Sequence, residues 1–170
     1  MSPTMDGCAV GIDPGERWVG VARAALGSTL ALPVGTLDRS AGDAATVQAL
    51  RDLLGGEQVS ALVIGVPFRV DGREDAQARA FREFGEELAS ALGARCVAQD
   101  ERFSSHFDSQ FSLEGTTDRG RKARSPGRRS VQRQRRDRER SHAAAAARIL
   151  QRWLDSEEGS RAQARVNAEI

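Results

Sequence analysis

The 170-residue sequence predicts an α/β protein built on a five-stranded mixed sheet flanked by helices. Three short apolar runs joined by tight turns open the chain, and this pattern predicts an antiparallel meander. Two further apolar runs follow, each reached through a segment with helical periodicity, and crossovers of this kind place strands in parallel. A helical segment comes last, so the predicted order is βββαβαβα, three antiparallel strands and then two parallel ones.

Each of the first three predicted strands has its own signal. Cys8–Asp13 is an apolar run that ends at the turn pair Pro14-Gly15. Trp18–Ala25 alternates apolar residues with glycine and arginine. The third run, Leu30–Leu37, contains Pro33, which favours an edge position because proline cannot donate a ladder hydrogen bond.

The remaining elements alternate between helix and strand. Ala44–Leu54 has apolar residues at helical spacing, and so does the longer segment Glu74–Leu92. Between them, Ala61–Val66 is continuously apolar, which is typical of a parallel strand buried on both faces. Arg95–Gln99 is predicted as the fifth strand and Ser141–Leu154 as the last helix. We therefore predict one domain over residues 1–170, with a polar tail after residue 155.

The charge of the chain is unevenly distributed. Residues 119–140 contain 11 Lys or Arg and 2 acidic residues, a balance of +9, whereas the rest carries 14 basic and 22 acidic residues, a balance of −8. Residues from about 114 to 136 lack apolar periodicity, so they are predicted to form a mobile loop. The loop is either a solvated linker or a nucleic-acid contact, since basic segments displace counterions from phosphates. We favour the contact, made by Arg119, Arg121, Lys122, Arg124, Arg128, Arg129, Arg133, Arg135 and Arg136.

Several classes of protein are excluded by composition. No run of eighteen apolar residues occurs, so we expect no membrane span, and the N-terminus lacks the features of a secretory signal. The two cysteines, Cys8 and Cys96, lie inside apolar runs and are too few for a structural zinc site. They are expected to be buried and reduced in a cytoplasmic protein.

Acidic residues stand at the ends of two predicted strands. Asp13 ends the first strand, and Glu101, preceded by Asp100, follows the fifth. These carboxylates can face each other if the first and fifth strands flank the fourth. Two such carboxylates would bind Mg²⁺ or Mn²⁺, because hard cations prefer oxygen ligands. The metal would then activate water for displacement at a phosphodiester.

These motifs together are similar to a known family. The quoted segments are Gly11–Gly15, Val19–Ala22, Val63–Pro67 with Asp71-Gly72, Asp100–Ser105 and Ile149–Asp155. Their order and spacing resemble the YqgF/RuvX family of Holliday junction resolvases, which is also implicated in maturing the end of small-subunit ribosomal RNA. The resemblance implies an RNase H-like fold and metal-dependent phosphodiester cleavage. It also implies that Asp13 and Glu101 are the first and second catalytic acids.

The third catalytic position departs from the family pattern. The family has Asp-x-x-Ala-Ala-x-x-Ile-Leu-Gln in its last helix, and this chain has His142 at the position of that aspartate. Histidine can bind metal and can act as a general acid or base, so His142 is our candidate third ligand. The alternative is that the substitution has weakened the site and left a nucleic-acid binder. Asp137 and Glu139 are the next candidates as ligands.

The leading hypothesis is a metal-dependent endonuclease acting on branched DNA or structured RNA, with Asp13, Glu101 and His142 at its centre. Alternatives are a nuclease that matures small-subunit ribosomal RNA and a non-catalytic nucleic-acid binder. A sugar-kinase-like or actin-like ATPase is discounted, since a second repeated domain does not fit in this length. Symmetric cleavage of a four-way junction would favour a homodimer.

Overall fold

The sheet has five strands, as predicted. A computed structural model of the chain describes residues 7–101, 128–156 and 158–161. The strands are β1 (Gly7–Pro14), β2 (Trp18–Ala25), β3 (Leu32–Asp38), β4 (Gln58–Val66) and β5 (Arg95–Asp100). Their spatial order is β3-β2-β1-β4-β5. The first three strands pair antiparallel, and β4 pairs parallel with both β1 and β5. The predicted edge position of the proline-containing strand is therefore confirmed.

Three helices cover the two faces of this sheet. They are α1 (Asp43–Leu53), α2 (Ala76–Leu92) and α3 (Arg128–Leu154). The α2 helix begins two residues later than predicted, because the Asp75 side chain caps it by accepting a hydrogen bond from the Ala78 amide at 2.8 Å. Gly93, in the left-handed conformation with φ of 68°, ends it as the sequence indicated.

The two faces of the sheet carry side chains of different size. Larger aliphatic residues such as Val10, Ile12 and Ile64 lie on the face covered by α1 and α2. The face covered by α3 has mainly small residues, among them Ala9 and Ala22. Because small side chains leave the backbone accessible, a helix can approach this second face closely.

The closest approach of α3 is made over glycines. A Cβ on Gly11 of β1 would lie 2.6 Å from the Ala146 carbonyl oxygen and 2.7 Å from the Leu150 Cβ. A Cβ on Gly20 of β2 would overlap the carbonyl oxygen of His142. Side chains at these two positions would push the helix away from the sheet, so the glycines determine how deeply α3 is seated.

The prediction of a mobile loop from about residue 114 to 136 is wrong for the C-terminal part of that range. Positions 128–136 belong to α3, which begins at Arg128 and not at Ser141. This part of the helix carries no apolar stripe, because apolar periodicity reports packing and not helicity. Arginine and glutamine are good helix formers, and the packed half of α3 supplies the costly helix nucleus. Residues 114–127 lie outside the described part of the chain.

Other expectations have mixed outcomes. Cys8 is fully buried, and burial together with Glu57 raises the pKa of its thiol to about 11, whereas Cys96 is only half-buried. The predicted polar tail after residue 155 begins with a short helical turn at 158–161. The Gly159 amide in this turn donates a hydrogen bond to the Ser156 side chain at 3.2 Å. None of the helices in the described ranges combines the length and apolar character that a transmembrane span needs.

The seating of α3 can be tested by adding one methyl group. Gly11→Ala should lower the free energy of unfolding by about 1–3 kcal/mol, the usual cost of overpacking a tight core. The control is Gly35→Ala on β3, where a new Cβ would make ordinary contacts of 3.6 and 3.7 Å with Leu53. Urea unfolding measures both variants. Equal free energies of unfolding for the two variants would show that the absence of a side chain at Gly11 is not needed for the close packing of α3.

Candidate active site

The two predicted catalytic acids lie at the same edge of the sheet. Asp13 is near the carboxyl end of β1, and Glu101 directly follows β5. β4 runs between these strands in the observed order, so the sequence-based condition for the two acids to face each other is met. The Glu101 amide also donates to the Val66 carbonyl oxygen at 3.2 Å, which ties this residue to the end of β4.

The Glu101 carboxyl group lies over a glycine of the central strand. A Cβ on Gly65 would be 2.8 Å from the Glu101 carboxyl carbon and 3.0 Å from its Oε1 atom. It would also be 2.6 Å from the Ile149 Cδ1 atom of α3. Gly65 therefore leaves the space in which the carboxyl group packs beside the helix. Sequence reasoning did not single out Gly65, although a glycine inside a continuous apolar strand often marks such a close approach.

His142 contacts the other acid directly. Its Nδ1 atom lies 2.8 Å from Asp13 Oδ2, and both side chains are partly buried, with 32% and 18% of their surface exposed. When Nδ1 carries the proton, it donates to the carboxylate and leaves Nε2 with the lone pair that can bind a metal or accept a proton. The carbonyl of the same residue packs on Gly20, the register partner of Asp13. The depth at which α3 is seated therefore sets this contact.

The electrostatics of the site concern mainly Glu101. Burial raises the pKa of its carboxyl group, and the nearby negative charge of Asp13 raises it further. Arg152 and Arg148, both on α3, act in the opposite direction. A divalent cation bound here would offset the negative charge of Asp13 that disfavours the ionised form of Glu101.

The donor atoms suit a hard divalent cation. Asp13 and Glu101 supply carboxylate oxygens, and His142 supplies an imidazole nitrogen, which Mn²⁺ accepts. The described residues contain no group of three or more His, Cys, Asp or Glu side chains close enough to hold a metal together. Mg²⁺ commonly needs only one or two carboxylates, with water and substrate phosphate at its other positions, so a pair of acids is a sufficient starting set.

The structure describes only some of the other predicted site residues. Asp137 is an exposed residue of α3, and Glu139 is placed by its backbone alone. Of the predicted nucleic-acid contacts, four lie outside the described residues: Arg119, Arg121, Lys122 and Arg124. Five others occupy backbone positions on α3 without a described side chain: Arg128, Arg129, Arg133, Arg135 and Arg136.

Comparison with known proteins gives a consistent result. The family described as RuvX, Holliday junction resolvase, matches residues 7–156. A candidate pre-16S rRNA nuclease of Acidiphilium cryptum is 32% identical over 148 residues, which is 86% of this chain and 82% of the relative. One of the same name from Trichormus variabilis is 33% identical over 147 residues, covering 86% and 87%. A third, from Myxococcus xanthus, is 32% identical over 148 residues, with coverage of 86% and 87%.

The raised pKa of Glu101 makes a prediction about stability. The folded protein holds the Glu101 proton more tightly than the unfolded chain, whose value is near 4.5. Ionising Glu101 therefore lowers the free energy of unfolding. This loss begins as the pH rises above about 4.5, and it is complete once the pH exceeds the pKa of Glu101 in the folded protein. In metal-free buffer, Glu101→Gln should raise the free energy of unfolding at neutral pH but have little effect near pH 4.

Urea unfolding over a series of pH values, with chelator present, measures this difference. The control is Glu83→Gln, at an exposed position on α2. A Glu101→Gln protein that is less stable than the parent at neutral pH would contradict the interpretation. So would a stability difference that does not change with pH.

Proposed function

Because the chain belongs to the RuvX family of Holliday junction resolvases, we propose that it is a metal-dependent endonuclease for structured nucleic acid. Its five-stranded sheet is the RNase H-like arrangement of that family, as the sequence predicted. The observation that supports the proposal is that Asp13 and Glu101 end two strands on the same edge of the sheet, with His142 2.8 Å from Asp13. Two strands and a helix that are distant in sequence bring these side chains together.

Each of the three residues has a distinct task in this proposal. Asp13 and Glu101 would hold Mg²⁺ or Mn²⁺, which, when bound, supplies a Lewis acid for the phosphodiester and an activated water. His142 orients Asp13 through the 2.8 Å contact of its Nδ1 atom. Its other ring nitrogen can bind the metal or take up a proton at Nε2. A bound cation would offset the charge of Asp13, which is one cause of the raised pKa of Glu101, and would favour the ionised form of Glu101.

The contact between His142 and Asp13 also bears on the alternative of a non-catalytic binder. That alternative requires that His142 cannot replace the aspartate that the family has at this position as a ligand or proton acceptor. Instead, the imidazole lies within hydrogen-bonding distance of the first acid and remains partly exposed. A residue placed in this way can serve the reaction, so we favour an active enzyme.

The basic segment would supply substrate affinity. It combines a predicted loop with the N-terminal half of α3, and this half leads directly into His142. The cations of this segment would hold phosphates that the acids alone repel. Both a branched DNA and a folded ribosomal RNA precursor offer such phosphates. The names of the relatives favour the RNA, whereas the description of the family favours the junction.

One comparison tests the function directly. A four-way DNA junction and a precursor of small-subunit ribosomal RNA are incubated with the full chain in Mg²⁺, in Mn²⁺ and in chelator. We expect cleavage of at least one substrate that depends on the divalent ion. Activity that is unchanged in chelator would refute metal dependence, and absence of cleavage under every condition would favour the binder.

Asp13→Asn should abolish this cleavage without unfolding the protein. A neutral amide binds a hard cation poorly. The loss should exceed roughly a hundredfold, since even outer partners of metal ligands are worth ten- to hundredfold. Asp52→Asn, an exposed substitution on α1, is the control for a lost carboxylate. Cleavage by the Asp13→Asn protein at the parental rate would remove this residue from the site.

His142 is tested by a pair of substitutions. His142→Ala should reduce cleavage far more than binding, because the basic segment still holds the phosphates. His142→Asp should keep much of the activity, because it restores the residue type that the family carries at this position. Cleavage rates and binding affinities of both variants are measured in parallel with the parent. If His142→Ala cleaves as well as the parent, the third ligand lies elsewhere, with Asp137 and Glu139 as the next candidates.

A further inference from the structure

Two arginines of α3 lie near Glu101, at the opposite end of the site from His142. Arg148 and Arg152 are one helical turn apart and lie on either side of Ile149 in sequence. The Ile149 Cδ1 atom lies beside the Glu101 carboxyl group over Gly65. Both arginines also lower the pKa of that carboxyl group. Arg152 Nη1 donates to the Asp100 carbonyl oxygen at 3.0 Å, so its guanidinium is anchored at the end of β5. Arg148 is exposed to solvent. The pair therefore borders the acidic edge of the sheet.

These two cations differ from the paired arginines elsewhere in the molecule. Arg23 is paired with Glu57 at 2.7 Å, and Arg82 with Glu74 at 2.9 Å. Within the described part of the chain, neither Arg148 nor Arg152 forms an ion pair at such a distance. Arg152 donates instead to a backbone carbonyl, at 3.0 Å.

The acidic site needs a positive charge nearby. Asp13, Asp100 and Glu101 concentrate negative charge at one edge, and a nucleic acid brings more of the same sign. A divalent cation held by Asp13 and Glu101 would offset this charge at the scissile phosphate, but it would offset less of the charge at the two neighbouring phosphates. Arginine is well suited to those positions, since its planar guanidinium donates two parallel hydrogen bonds to a phosphate.

We propose that Arg148 and Arg152 form a binding site for a backbone phosphate of the substrate, next to the scissile phosphate on the Glu101 side. This rests on the proposed function. Ten residues separate His142 from Arg152, about 15 Å along the helix at 1.5 Å per residue. Arg148 and Arg152 lie beyond His142 along the helix, on the Glu101 side of the site, where they would contact a phosphate beside the one that reacts. Arg152 is held in place by its bond to β5, and Arg148 extends the site into solvent.

A purely structural role for Arg152 is the competing explanation. Its hydrogen bond to the Asp100 carbonyl could serve only to tie α3 to β5. That role would affect folding stability but not the dependence of binding on salt. Under that explanation, substitution of the exposed Arg148 would change neither folding stability nor binding. The two explanations therefore predict different results for each arginine.

The test measures binding by the full chain in chelator, where no cleavage occurs. The probes are a four-way DNA junction of synthetic oligonucleotides and an RNA hairpin, each titrated at several salt concentrations. Arg148→Gln and Arg152→Gln should each weaken binding several-fold and reduce the slope of log affinity against log salt by about 0.7–0.9, the value of one phosphate contact. Arg152→Lys should keep most of the slope because it keeps the charge.

The control is Arg79→Gln, at an exposed position on α2, which covers the other face of the sheet. It should bind as the parent does. In cleavage assays, Arg148→Gln should raise KM and leave kcat nearly unchanged, since the proposed phosphate does not react. Parental affinity and salt slope for both glutamine variants would overturn the proposal.

Two further outcomes separate this inference from the proposed function. If the parent cleaves neither substrate, the proposed function fails, but the binding measurements still report on the arginine pair. If Arg152→Gln proves unstable in thermal melting, exposed Arg148 carries the test alone. A parental salt slope for Arg148→Gln would then overturn the proposal.

Discussion

The close packing of α3 on the sheet is the contact on which the site depends. Gly20, Gly11 and Gly65 lie on three neighbouring strands, and each faces a residue of α3 at a distance that leaves no space for a methyl group. At Gly20 the helix presents His142, whose ring then reaches Asp13. At Gly65 it presents Ile149 beside the carboxyl group of Glu101. One packing arrangement therefore positions both sides of the site.

This arrangement imposes an electrostatic cost on the folded protein. Glu101 is partly buried near Asp13, and both conditions disfavour its ionised form. A sequence optimised for stability alone would replace one of the acids. The proposed function, in which two carboxylates would bind a divalent cation, would account for their presence together. Arg148 and Arg152 of α3 moderate this cost, and in our proposal they would also provide charge for a polyanionic substrate.

Much of the fold could be predicted from local patterns. The boundaries of β1, β2, α1 and β5 agree with the sequence to within about two residues, because turn residues and apolar periodicity mark them. Asp13 and Glu101 could be proposed as partners on the condition that β1 and β5 flank β4, and the observed strand order meets that condition. The family resemblance drew attention to His142, but the contact with Asp13 depends on how deeply the helix is seated.

Other features could not be predicted for identifiable physical reasons. Residues 128–136 were assigned to a loop because they have no apolar face, yet they extend a helix that is already nucleated by packing. The glycines under α3 are spread over three strands, and only the three-dimensional register brings them into one row. Arg152 falls inside a segment that carries the family resemblance and Arg148 directly precedes it, but neither was predicted to have a role. Only their position beside β5 and Glu101 distinguishes them.

The central claim is that this packing creates a divalent-cation site between Asp13 and Glu101. X-ray diffraction from crystals soaked in Mn²⁺, collected near the manganese absorption edge, tests it most directly because anomalous scattering locates the ion itself. The account predicts an anomalous peak within coordination distance of carboxylate oxygens from both acids, and loss of that peak in the Asp13→Asn protein. Binding of Mn²⁺ only at other residues, or an equal peak in the variant, would contradict it.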